Sequence, residues 1–530
     1  MRTRLQLLGI GCAVFAGLTG QARSESAFGE DGREVRHVLL ISVDGLHALD
    51  LSNYIATHHD SALASLSRQG ITYTNNFSSV PSDSFPGLAA LVTGGSPVTT
   101  GFWYDDTYNR ALSPPAQTDG LGNPGGQCPG AVGTNVALDE AVDIDLTRLD
   151  GGGGLNPNFL VRDPNHGCRT VLPHEYLRVN TIFEVVRAHG GRTAWTDKHP
   201  SYEWTNGPSG HGVEDFYGPE INSIPVPLPQ ISGCATVPFA DPTPDDGWTN
   251  SFEDIKCYDS LHVQAVLNQI DGYTHDRSKK VGVPTVFGTN FQAVSVGEKL
   301  AVDPVTGLKG GYTDVLGTPG QALAGELDYV DRSLGSMIAE LKKERIYDST
   351  LIIISAKHGQ SAIDVTRRRG IGGGEPATTL GKADAFDISD DGSLIWLTDQ
   401  SLTPGVVATL SQPQTQQALG IQEIFAGASL RNKFNDPGSD PRTPDIILKV
   451  NTGVIFTHGS KLSEHGGSNE DDVHTALLVS QDGMDAATVS TATTNQQVAA
   501  TIIKALGWNP DELRAVQVEQ IHPLPVPRRR

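Results

Sequence analysis

Two almost wholly apolar runs constrain this chain most. HVLLISV (37–43) leads straight into Asp44 and Gly45, and STLIIIS (349–355) leads into Ala356, Lys357, His358 and Gly359. A continuous β-branched run of that kind, with no polar alternation, suits a strand covered on both faces. Strands of that type belong to a mostly parallel sheet flanked by helices. The second run also ends by placing a cation beside an imidazole, which is a costly way to finish a buried strand unless the strand end has a use.

The rest of the chain fits this frame. SALASLSRQG (61–70) reads as a helix stopping at glycine. NTIFEVVRAHGGRTAWTDK (180–198) reads as helix, Gly-Gly stop and strand, and VGVPTVFGTNF (281–291) as a further strand. A long amphipathic helix over 324–346 feeds the strand at 349–355. PDIILKVN (444–451) and HTALLVS (474–480) are later strands, and TNQQVAATIIKALG (494–507) is a closing helix capped by Thr494. GGGG (151–154) and GIGGGEP (370–376) read as loop tips. The expected organisation is one domain over 36–515, with insertions at about 112–172, 205–255 and 366–390 that leave the sheet.

The 530-residue chain carries a formal net charge of -22. That balance excludes a basic surface for nucleic-acid duplexes and a polybasic lipid anchor. Residues 1–22 have the pattern of a secretory signal: two arginines, an apolar stretch, then small residues. No later run is long enough to cross a bilayer, so a secreted or periplasmic protein without a stable membrane anchor is expected. Removing the signal takes Cys12 with it and leaves Cys128, Cys168, Cys234 and Cys257. Four cysteines in an exported chain allow three pairings. The local pairs Cys128–Cys168 and Cys234–Cys257 are favoured, each within Gly- and Pro-rich sequence.

In open α/β sheets, ligands bind beyond the carboxyl ends of the strands. That rule gathers Asp44, Asn290, Lys357 and His358. A second stretch, VPSDSFPGLAALVTGG (80–95), sets Ser84 before Phe-Pro at a helix start, where an anion is favoured. A simple helix cap would also explain that serine. SEHGG (463–467) adds His465, and TDKHPSYEW (196–204) follows a strand with Tyr202 and Trp204 as a candidate pocket wall.

This ordered set resembles the type I phosphodiesterase and nucleotide pyrophosphatase family of the alkaline phosphatase superfamily. The resemblance rests on VDG, DSFPG, LVTGG, TTGFWYDD, the helix leading into LIIISAKHG, and SEHGG. It implies an alkaline-phosphatase-like fold and a hydrolase of phosphodiester or nucleotide pyrophosphate bonds. It implies Ser84 as nucleophile and Asp44, His358 and His465 as metal ligands, with small phosphate esters or nucleotides as substrates. The family uses two zinc ions to lower the nucleophile's pKa and clamp the displaced oxygens.

The chain departs from that pattern at informative places. Lys357 stands where the family has a metal-binding aspartate, and Asn290 and Val294 stand at an aspartate and a histidine. Gly87 takes a position where the family commonly has a phosphate-binding asparagine. Two divalent ions beside one carboxylate and an ammonium would leave positive charge unmatched. One divalent metal, zinc by resemblance, is therefore expected, with Lys357 replacing the charge of the other and Asn290, Gly87 and Tyr202 near the substrate. Asp83, Glu298, Asp471, Asp472 or His474 could rebuild a metal site, and His47 could point inward, but each reads first as a solvated surface group. Other outcomes of the same fold are a sulfate-ester or phosphonate hydrolase, a group transferase, or a binding protein that has lost its metals.

Overall fold

The computed structural model describes residues 34–117, 125–139, 142–237, 247–381, 383–457 and 459–527. The signal segment with Cys12 lies outside the described residues.

His37–Val43 is the spine of an eight-stranded sheet. It pairs in parallel with Val286–Phe291 on one side and Thr350–Ser355 on the other. Ala194–Thr196 and Asp215–Tyr217 extend the first side, also in parallel. On the other side Leu477–Ser480 enters antiparallel, followed by Gly70–Tyr73 and Ala487–Val489. The apolar run works as read. Val38 and Leu40 enter the core on one face, while Leu39, Ile41 and Val43 enter the core on the other. Each such fully buried aliphatic side chain stabilises the fold by about 1.5–3 kcal/mol.

Helices cover both faces. Gln321–Lys343 lays Leu323, Leu327, Val330, Leu334, Met337 and Leu341 against one core at three- and four-residue spacing. Ser84–Thr93 and Gln496–Ala505 pack into the other. The closing helix is preceded by Asn495 rather than capped by Thr494, and no side chain caps it.

A second, wholly antiparallel sheet stands apart from the first, in the order Asp384–Ser389, Gly392–Leu397, Ile446–Val450, Ile421–Ala426. It has its own core around Ile395, Leu448 and Leu410. PDIILKVN belongs to this sheet, because its apolar face meets Ile395 and Leu397 rather than the main core. Within GIGGGEP, Gly370 and Ile371 join Arg369 in a short strand on Val454–Phe456 instead of forming a loop tip.

Cys128–Cys168 and Cys234–Cys257 are both bridged. The second ties a Gly- and Pro-rich excursion to the helix Phe252–Ile270, whose inner face reaches the strand end at Asn290. Closing loops of 40 and 23 residues removes unfolded-state freedom worth about 3–4 kcal/mol each in the chain-entropy account. Among the described residues, no helix is long and apolar enough to cross a membrane.

Candidate active site

The parallel strands deliver their reactive residues to one edge of the sheet, as the strand-end rule expects. Asp44 follows Val43, Asn290 ends its strand, Asp197 and Lys198 follow Thr196, and Lys357 and His358 follow Ser355. Ser84 comes from the first turn of a helix that is buried along its whole length. Asp83, not Ser84, caps that helix: its Oδ2 accepts from the Phe85 amide at 3.0 Å. The serine hydroxyl is therefore spared from capping and points into the cluster.

Two contacts define its chemistry. Lys198 Nζ donates to Ser84 Oγ at 2.9 Å, and His358 Nε2 lies 3.2 Å from the same oxygen. His358 Nδ1 is 2.8 Å from the Gly359 carbonyl. A carbonyl only accepts, so Nδ1 carries the proton and the Nε2 lone pair faces the serine. Burial pulls the His358 pKa down despite the nearby Asp44 carboxylate, which keeps the ring neutral and able to accept.

Asp44 is heavily supported. Asn290 Nδ2 donates to one carboxylate oxygen and Gln292 Nε2 to the other, both at 2.7 Å. Lys198 Nζ and His358 Nε2 lie 3.6 and 3.4 Å from Oδ2. Burial would raise the Asp44 pKa, but Lys357, His358 and Lys198 outweigh it and hold the carboxyl well below its usual range. Asp259 pins the supporting loop by accepting from the Gln292 and Ala293 amides.

Lys357 turns inward. Its Nζ donates to Asp197 Oδ1 at 2.7 Å, with both side chains fully buried, and sits 4.3 Å above the ring of Tyr202. Trp195 Nε1 donates to the other Asp197 oxygen at 3.0 Å. Burial pulls the Lys357 pKa down and pushes that of Asp197 up, since it penalises both charges. Lys198 goes the other way. Burial lowers it, but Asp44, Asp105, Asp197 and Asp83 together raise it, so it stays an ammonium.

The opposite flank of Ser84 is unfinished. His465 Nδ1 and Asp83 Oδ1 are 3.6 Å apart, both buried, and neither has a hydrogen-bond partner. The His465 ring lies against that of His358, with centroids 3.8 Å apart and planes tilted by 30°. Burial and the neighbouring His358 hold His465 well below its ordinary pKa. Burial, with Asp105 beside it, pushes Asp83 well above the carboxylate range.

Sequence reading put Ser84, Asp44, Asn290, Lys357, His358 and His465 in one site, and they meet. Tyr202 is fully buried against Phe85 and Trp204, as the floor under Lys357 and not an open wall. Gly87 is a close-packing position: a Cβ there would lie 2.1 Å from the Lys357 carbonyl oxygen. Val294 is buried in the apolar core. Of the residues read as solvated, Asp83, His47, Glu298 and Asp472 are buried. Asp472 accepts from the Gly467 amide and so braces the turn after His465. His474, on the strand His474–Thr475, stacks on Phe77. Sequence reading missed Lys198 and Gln292. Lys198 was exposed by the same signal as Lys357, a lysine just beyond a strand.

These residues do not fit a two-metal centre. Lys198 and Lys357 set two ammonium groups among Asp44, Asp197 and Ser84, and such charges would repel a second divalent ion. Asp44, His358 and His465 are not among the described His, Asp and Glu groups whose ligand atoms converge within 4.8 Å. The donor pair left open is Asp83 Oδ1 with His465 Nδ1, which suits one cation.

The family model for type I phosphodiesterase / nucleotide pyrophosphatase matches residues 38–127 and 311–474. The stretch between the two matched segments holds Asp197, Lys198, Asn290 and Gln292. No curated protein matches the chain. Three solved structures share its fold. Murine ectonucleotide pyrophosphatase / phosphodiesterase 5 aligns at 14% identity and TM-score 0.53, covering 89% of this chain and 96% of its own. Its inactive variant in complex with AMP aligns at 14% and 0.54, covering 90% and 96%. The wild-type alkaline phosphatase PafA aligns at 13% and 0.58, covering 89% and 96%.

Proposed function

We propose, from the premise that this chain is a phosphate-ester hydrolase of the type I phosphodiesterase and nucleotide pyrophosphatase family, that it cleaves phosphodiester or nucleotide pyrophosphate bonds through Ser84 with a metal-poor, lysine-rich site. The observation that carries the reading is the placement of Ser84 Oγ between Lys198 Nζ and His358 Nε2.

His358 Nε2 takes the Ser84 proton as Oγ attacks phosphorus. The P–O bond to the leaving group breaks, and the serine carries the phosphoryl group with its remaining substituent until water displaces it as the monoester. The imidazolium formed lies 3.4 Å from the Asp44 carboxylate, which stabilises it. The Lys198 ammonium stabilises first the serine oxygen and then the phosphoryl oxygens. Lys357, held by Asp197 and Tyr202, adds fixed positive charge from below. A zinc ion held by Asp83 and His465, beside His358, would supply further positive charge to a phosphoryl oxygen. A cavity of about 370 Å³ lined by Pro81, Phe425, Phe434, Gly466 and Gly467 abuts both the Ser84 and His465 loops. The catalytic unit is residues 36–515, exported after loss of residues 1–22.

The test is Ser84→Ala in the mature protein, assayed on a p-nitrophenyl phosphodiester with circular dichroism on the same sample. Turnover falls below about a thousandth of wild type while the fold is kept. Acid-quenched wild type carries on Ser84 the substrate's phosphoryl group with its remaining ester substituent, read by mass spectrometry. A folded variant that keeps its turnover would refute the serine mechanism.

A further inference from the structure

His47 and Glu298, both expected to be solvated, meet in a second buried cluster behind the site. We propose that His47, Asp50 and Glu298 form a binding site for one divalent transition-metal ion, of the zinc type, distinct from Ser84 and its neighbours. The three side chains are each 1% exposed, and their ligand atoms lie within 4.8 Å of one another. His47 Nδ1 is 2.8 Å from Asp50 Oδ2 and 3.4 Å from Glu298 Oε1. An imidazole with two carboxylates is a donor set suited to zinc, whereas calcium and magnesium favour oxygen alone.

Three further observations point to an ion. Asp50 Oδ1 has no hydrogen-bond partner although the residue is buried. His47 Nε2 faces both the amide and the carbonyl of Gln360, at 3.0 and 2.9 Å. The ring can therefore place its proton on Nε2, donate to that carbonyl, and free Nδ1 for a metal. A backbone carbonyl behind the ligating ring is the usual support of a metal-bound histidine. There is also a way in: a cavity of about 600 Å³ is lined by His47 itself, with Asp364, Glu470 and Asp471 as well as Arg367. Tyr312 OH lies 2.9 Å from both His47 Nδ1 and Asp50 Oδ2 and 2.8 Å from Glu298 Oε1, so the hydroxyl marks the point on which the three ligand atoms converge and would turn aside or join them when an ion binds.

The position gives the ion a role. His47 lies three residues beyond Asp44, Gln360 lies two beyond His358, and Glu298 accepts from Gln360 Nε2. The ion would tie the two turns that carry Asp44 and His358 from behind, as a structural centre.

The test uses full-length mature protein stripped with a chelator and dialysed against Zn²⁺, in a His465→Ala background that removes the other donor pair. Elemental analysis gives about one zinc per chain, and Zn²⁺ raises the thermal midpoint. Adding Glu298→Gln or, separately, Asp50→Asn abolishes both the uptake and the shift. Because either variant could disturb folding, crystals of the His465→Ala protein soaked in Zn²⁺ are also examined for anomalous scattering among the three side chains. A peak there supports the site. No peak, no uptake in the His465→Ala protein, or equal uptake in the added variants would overturn it and leave a proton-bridged network.

Discussion

On one side of Ser84, every charge has an answer. Asp44 accepts from Asn290 and Gln292, and Asp197 holds Lys357. Lys198 spans the serine and Asp44. On the other side, Asp83 and His465 face each other across 3.6 Å with open valences. Two ammonium groups and two carboxylates make the first flank electrically closed without any ion, whereas the second has an acceptor and a lone pair that nothing among the described residues satisfies. The lesson is that cations buried at strand ends can neutralise a cluster of carboxylates without an ion. Buried ammonium groups persist only if carboxylates are buried with them.

Substitutions can break that contrast. The largest effect after loss of Ser84 belongs to Lys198→Met. It removes the cation nearest the nucleophile, and kcat falls by about 10²–10³ with little change in KM. A drop of only a few-fold on the same phosphodiester would mean the first flank is not the electrostatic engine. Next comes Lys357→Met, which strands Asp197 in the interior. Unfolding by urea should show a loss of about 3–5 kcal/mol. Adding Asp197→Asn should recover a large part of it, and no recovery would show that Lys357 acts through Tyr202 and packing.

The smallest effect probes what stands behind the closed flank. His262 Nδ1 donates to the Asn290 carbonyl, and burial pushes its pKa down to about 4. An unfolded histidine binds its proton near 6.5, so between the two values only the unfolded chain is protonated. The stabilisation is complete above that upper value and is lost as pH falls toward the lower one, by about 3 kcal/mol in all. His358 and His465, also lowered, act in the same direction, and His47, which is raised, opposes them. Urea midpoints for wild type and His262→Gln across this range decide the point, since equal slopes would remove His262 from the account.

The strand ends were legible because an apolar run that stops at a polar residue marks both a sheet edge and a ligand edge. That brought out Asp44, Asn290, Lys357 and His358 together. Lys198 followed an equally plain strand, Ala194–Thr196, yet Asp197, Lys198 and His199 stand in a row and only packing decides which one reaches Ser84. The cap at Ser84 was misplaced by one residue for a similar reason: SDS offers three hydroxyl or carboxylate groups, and the helix used the middle one. Assigning strands to sheets also lay beyond the sequence, because PDIILKVN is as apolar as a main-sheet strand and differs only in the neighbours it finds.

The glycine at 87 sets how closely two parts of the site can approach. Any side chain at that position would strike the Lys357 carbonyl, 2.1 Å from where its first carbon must go. The clash is with main chain, so the identity of the side chain at 357 does not relieve it. The helix that carries Ser84 and the turn that carries His358 therefore rest backbone on backbone, and a single added methyl group would part the nucleophile from the imidazole that faces it.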